Sequence, residues 1–347
     1  MKVSGGGVVN VFLEEIRSQP EVLARRLDQG WAAVEEVAAR LRRERPAALM
    51  VAARGSSDHA ATYAKYLFEI RNRIPVALAA PSAFTVYGSP PRLAGLAMLA
   101  ISQSGASPDV AAVAEEARRQ GRPAFALVND ARSRLGRAAE VVIPMGAGRE
   151  RSVPASKTYT SSLLCLAMLS CALDPDPAFR AAIEAVPAAV AEALASGASR
   201  LADGVEGRRL AVIGRGYQLA TAQEVALKVT ETSYLLAEAR SVADFMHGPI
   251  AAVDPDLPVL LLEAGGPALA DMRHLERRLE SEGACLLRIG DTLRPDARSV
   301  RVRTGLPESL TPIPFAAAGQ LFAHALAARR GLDPDRPRGL RKITETT

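Results

Sequence analysis

The chain repeats itself. Leu49-Met-Val-Ala-Ala-Arg-Gly55 lines up with Leu210-Ala-Val-Ile-Gly-Arg-Gly216, an offset of 161 residues, and at the same offset the apolar run in 96–105 falls on 257–266. With a one-residue slip, the helix end at 115–121 and the apolar run at 124–128 fall on 276–283 and 285–289. A duplication of this size restricts the fold to one that two like units can build. Each apolar run is short, nearly continuous and alternates with a helical pattern. That predicts an α/β fold in two tandem copies, each a parallel sheet buried under helices on both faces.

The 347 residues suffice for two such domains. The expected boundaries are an N-terminal helical region (1–45) with amphipathic stretches at 8–27 and 32–43, a first domain (46–175), a second (176–330) and a C-terminal tail (331–347). Leu173-Asp-Pro-Asp-Pro177 reads as the linker. Cys165, Cys171 and Cys285 sit in apolar stretches without metal spacing and read as reduced core residues, which argues for a cytoplasmic location. Residues 1–7 lack a signal-peptide core, and the apolar stretch 163–173 is too short to cross a bilayer, so no membrane role is expected. The net charge of +5 comes from basic residues spread along the chain, and only 4% of residues are aromatic. Nucleic acid is therefore not an expected partner. Of 43 basic residues, five are lysine: Lys2, Lys65, Lys157, Lys228 and Lys342. In so arginine-rich a chain a retained lysine points to a need for a compact, mobile ammonium.

Two turns carry the chemistry of the first copy. Ser102-Gln-Ser-Gly-Ala-Ser107 follows the apolar run at 96–101 and leads into a helical pattern at 108–120. Small hydroxyl residues between a strand and the start of a helix offer an anion hydrogen-bond donors and a favourable dipole end. Gly105 relieves the turn, Ser107 is placed to cap the helix, and Pro108 suits its first position. Upstream, Arg54-Gly55-Ser56-Ser57 stands between an expected strand at 49–53 and an expected helix at 58–70. Both turns lie at strand carboxyl ends, where ligands bind in sheets of this kind. In the second copy Glu263-Ala-Gly-Gly266 replaces the serines, so only the first is expected to hold phosphate.

The second copy carries charge instead. Glu224, Lys228 and Glu231 recur at i, i+4 and i+7 on one helical face amid apolar residues, which predicts that they face a cleft. Beyond them His247-Gly-Pro249 fixes a histidine in a turn, whereas His274 and His324 fall in helical patterns.

In these motifs the chain resembles the sugar isomerase (SIS) domain proteins, specifically the isomerase half of glutamine–fructose-6-phosphate aminotransferase. The resemblance rests on the Gly55-Ser-Ser turn, Ser102-Gln-Ser-Gly105, Ser156-Lys157-Thr158, the Glu224, Lys228 and Glu231 spacing, Ala237-Glu-Ala, His247-Gly-Pro249 and the tail lysine Lys342. It implies two flavodoxin-like domains and a dimer or higher oligomer. It implies that Ser56, Ser57, Ser102, Gln103, Ser104 and Ser107 hold a sugar phosphate, with Gly55, Ser156, Lys157 and Glu224 also about the pocket. Glu231 matches the base that moves a proton between C1 and C2 of the open-chain sugar. His247 matches a ring-opening histidine contributed by the neighbouring subunit, Lys228 a lysine near the sugar, and Lys342 the lysine that closes over it. No metal or other cofactor is implied.

The departures bear on the reaction. The aminotransferase has a cysteine directly after its initiator methionine, where this chain has Lys2, so no glutamine hydrolysis is expected. Ala106 replaces an acidic residue and Pro154-Ala155 an Ala-Ser pair. The tail 340–346 looks more like that of stand-alone glucosamine-6-phosphate deaminases. The favoured reaction is deamination and isomerisation of glucosamine 6-phosphate to fructose 6-phosphate and ammonia. The alternatives are the same chemistry on galactosamine 6-phosphate or a fructosyl-amino-acid phosphate, and a non-catalytic sugar-phosphate sensor.

Overall fold

The computed structural model describes residues 10–342. Lys2, the start of the amphipathic stretch at Val8 and the tail beyond Lys342 lie outside the described residues. Among the described residues ten strands form two five-stranded sheets. The first holds β1 (Ala48–Ala52), β2 (Val76–Leu78), β3 (Leu96–Ser102), β4 (Ala124–Val128) and β5 (Val141–Pro144). The second holds β6 (Arg209–Gly214), β7 (Leu236–Ser241), β8 (Val259–Glu263), β9 (Leu286–Gly290) and β10 (Ser299–Arg301). Every strand pair is parallel. The spatial orders, β2-β1-β3-β4-β5 and β7-β6-β8-β9-β10, are the same order of strands within each copy, as the sequence repeat requires.

The runs read as strands because both of their faces are apolar. In β3, Ala97, Leu99 and Ile101 join one core layer, while Met98 and Ala100 join the layer on the opposite face. In β8, Leu260 and Leu262 face one way and Val259 and Leu261 the other. Helix Pro108–Arg119 covers one face of the first sheet through Val110, Val113, Ala114 and Ala117. On the other face lie helix Ser56–Arg71 and helix Lys157–Leu173. The latter is apolar nearly all round and is a buried central helix. Among the described residues no helix is long and apolar enough to cross a membrane. The N-terminal helices Gln19–Gln29 and Trp31–Glu44 add Leu23, Val34, Val37 and Leu41 to the first core.

That core does not stop at the end of the first copy. Tyr217 and Ala220, at the start of helix Gln218–Ser233, and Leu310 and Ile313 belong to it as well. The Tyr159 hydroxyl donates to the Ala220 carbonyl at 3.2 Å and the Tyr63 hydroxyl to that of Ser309 at 2.8 Å. Between the copies, Asp174–Asp176 is only a joint: Asp176 accepts from the Ala178 and Phe179 amides and starts helix Pro177–Glu184.

Candidate active site

β1 and β3 are neighbours, but the chain leaves β1 toward β2 on one side and β3 toward β4 on the other. The turns that follow them therefore diverge and leave a crevice at the carboxyl ends of the strands. A cleft of about 390 Å³ lies there. Arg54, Gly55, Ser56 and Ser57 line it from the first turn; Ser102, Gln103, Ser104 and Ser107 line it from the second. Lys228 and Glu231 enter from helix Gln218–Ser233 of the second copy, Val153 and Ala155 from the loop before helix Lys157–Leu173, and Leu340, Arg341 and Lys342 from the C-terminal segment.

The second turn is built by its own serines. Ser102 Oγ accepts the Gly105 amide at 3.1 Å and Ser104 Oγ that of Ala106 at 3.2 Å. Gly105 has φ +63°, and a Cβ there would lie 2.0 Å from Ser133 Oγ, so the turn admits no side chain at that position. Two local expectations are corrected. Ser56 and Ser57 are already the first residues of helix Ser56–Arg71, with Gly55 before them at φ +55° and ψ −134°, a conformation that glycine accepts readily. Ser107 precedes helix Pro108–Arg119 but makes no side-chain capping bond, and it borders the cleft instead.

Behind the serines is a buried chain of charge. Lys228 is 1% exposed, with Nζ 2.5 Å from Glu231 Oε2 and 3.6 Å from Glu224 Oε1. Glu224 is fully buried; it accepts from Ser56 Oγ at 3.0 Å and meets His59 Nδ1 at 2.8 Å. Burial by itself would neutralise these groups, but the pairing wins. Desolvation pushes Glu224 up while Lys228, His59 and Ser56 bring it below the usual carboxylate range. Desolvation pushes Lys228 down while Glu224 and Glu231 hold it above the usual lysine range.

A second buried carboxylate ties the C-terminal segment to the cleft. Glu150 accepts the Ser156 and Thr158 amides at 2.9 and 3.1 Å, the Thr158 hydroxyl at 2.7 Å and Lys342 Nζ at 2.8 Å. Burial would raise its pKa, but Lys342 and these donors hold it below the usual carboxylate range. A carboxyl depressed in the folded state stabilises the fold above its unfolded pKa, near 4.5, and that contribution fades as pH falls through the lower folded value. Glu224 has the same sign. Thermal unfolding followed downward from neutral pH is expected to show the midpoint falling below about pH 4.5, with a shallower fall in Glu150→Gln. A parallel fall in both proteins would dissociate Glu150 from the effect.

Not every residue singled out in the sequence reaches the cleft. Ser156 is fully buried against Glu150, and Lys157 donates to the Arg149 carbonyl at 2.8 Å and pairs with Glu15 at 3.5 Å. Glu224 stands behind Ser56. His247 is exposed at the end of the short helix Val242–Met246 and does not border the cleft within one chain. Conversely, sequence reasoning passed over Glu150, His59 and Arg54 with its partner Asp109. The one visible signal was Glu150, an acid between two arginines just ahead of the Ser156-Lys157-Thr158 segment.

The family model for the SIS domain matches residues 43–172, which hold the first sheet, and 205–291, which hold β6 to β9 of the second. The chain belongs to the SIS domain family. Glutamine–fructose-6-phosphate aminotransferase (isomerizing) from Thermus thermophilus is 32% identical to this SIS chain over 97% of it. The match takes in 59% of that enzyme's length, less than two thirds. Among solved structures, a candidate phosphosugar isomerase from Silicibacter pomeroyi superposes with a TM-score of 0.86 at 36% identity, covering 94% of this SIS chain and all of that one. Glucosamine-6-phosphate deaminase from Thermotoga maritima, at 22% identity, shares the fold with a TM-score of 0.77 over 97% of this chain and all of its own.

Proposed function

We propose that this SIS chain is a phosphosugar isomerase and deaminase that converts glucosamine 6-phosphate to fructose 6-phosphate and ammonia. One observation carries the reading: a carboxylate and an ammonium 2.5 Å apart, Glu231 and Lys228, border the same cleft as the two serine turns. Anion recognition alone needs neither. In this reading the serines and the amides of the turns hold the phosphate, and the sugar extends toward Glu231. Glu231 takes the proton from C2 of the open-chain aldose and returns it to C1, and Lys228 stabilises the oxyanion that develops at O1. The product is a C2 imine; water adds to it and ammonia leaves. Lys342, held by Glu150, closes the cleft over the substrate. His247 would serve ring opening in a homodimer by entering the partner's cleft, which suits its exposure here. The first copy then binds and the second reacts. Three free cysteines suit a reducing, cytoplasmic compartment.

The test is release of ammonia and fructose 6-phosphate from glucosamine 6-phosphate by the purified chain without glutamine, with galactosamine 6-phosphate in parallel. Release from the glucosamine compound is expected. Release from the galactosamine compound alone would reassign the epimer. Binding of both without turnover would favour a sensor.

A further inference from the structure

Arg54 is the residue of the cleft whose place the serine motifs do not account for. It is the last residue before Gly55, and its side chain is half exposed. Its Nε donates to Asp109 Oδ2 at 2.7 Å. Asp109 is 1% exposed in the first turn of helix Pro108–Arg119, so the contact joins the two serine turns. The grip is end-on. Among the described residues neither Nη of Arg54 makes a hydrogen bond within the chain. A guanidinium carries five N–H donors, so four are left without a hydrogen bond in the chain, and Arg54 lines the cleft.

The other cations at the cleft are differently placed. Lys228 lies between Glu224 and Glu231, and Lys342 on Glu150. Each is directed to a carboxylate through its single ammonium. Arg341 is exposed on the C-terminal segment. Among the described residues at the cleft, Arg54 is the cation that a buried carboxylate fixes between the two serine turns.

The geometry points to Arg54 as a phosphate-binding residue, held by Asp109, that supplies the positive charge the serine turns lack and selects phosphorylated over neutral sugars. This inference rests on the reading of the cleft as a phosphate site.

Its test is titration of the full chain with inorganic phosphate by calorimetry, comparing wild type, Arg54→Met and Arg54→Lys after thermal unfolding has shown each to be folded. Loss of a charge-assisted contact predicts about 10- to 100-fold weaker phosphate binding in Arg54→Met. Arg54→Lys, which keeps the charge but not the fork, should fall between. With glucosamine 6-phosphate the loss should appear in KM, with kcat held within a few-fold; a merely structural clamp would lower kcat as well. Equal phosphate affinity in wild type and Arg54→Met would overturn the role of Arg54 and leave the phosphate site standing. Absence of phosphate binding in wild type would overturn both.

Discussion

Glu231→Gln is expected to reduce turnover of the phosphosugar by roughly 10²- to 10⁴-fold, the span associated with a positioned general base. Phosphate affinity should stay as it was. The substitution is nearly isosteric, and the second serine turn is held by its own bonds, which the Gly105 and Ala106 amides donate to Ser102 and Ser104. The clearest readout is exchange of the C2 hydrogen with solvent, which reports proton abstraction even when product release is slow. Loss of binding in step with turnover would remove Glu231 from the role of base and make it a structural partner of Lys228.

Lys228→Met is the substitution expected to cost most in stability. Methionine has similar length, so the packing survives, but Glu224, which is fully buried, loses Lys228 and keeps only Ser56 and His59 as partners. Breaking a buried ion pair by removing one partner costs about 3–5 kcal/mol. That is a large part of the roughly 5–15 kcal/mol that usually holds a folded domain together. Denaturant unfolding measures it. A triple variant, Glu224→Gln, Lys228→Met and Glu231→Gln, should recover most of the loss while remaining inactive, because no charge is left unpaired. If Lys228→Met alone unfolds like wild type, the buried cluster does not have the energetic role assigned to it.

The sheets were readable in the sequence because a strand buried on both faces leaves a continuous apolar run, and because the repeat doubled the sample: 96–105 and 257–266 became β3 and β8 with their turns. The serine turns were readable since each is contiguous. What stayed hidden are contacts that packing alone brings together. Glu150 meets Lys342 across 192 positions and His59 meets Glu224 across 165, with no local spacing to betray either pair. Arg54 stood in view within the first turn and Asp109 just beyond the second, yet their pairing depends on β1 and β3 being neighbours, a fact of strand order. Ser107 misled in the opposite sense. Its position is that of a cap, but the hydroxyl is not used as one.

The second sheet has the same strand order, so it has the same crevice between β6 and β8. There a Cβ on Gly266 would lie 2.1 Å from Glu308 Oε2, so the chain's own carboxylate occupies the ground above that turn. With one crevice closed to anions, the two jaws of the other come from different copies of the same unit, and a shared core that includes Tyr217 and Ala220 locks them together. Under the proposed function the cleft is a caliper. The distance from serine turns to Glu231 is set by how the copies seat on each other, and it would gauge the number of carbons between phosphate and carbonyl. Retuning the chain for a shorter or longer sugar would call for changes at that seat, far from any residue the sugar touches.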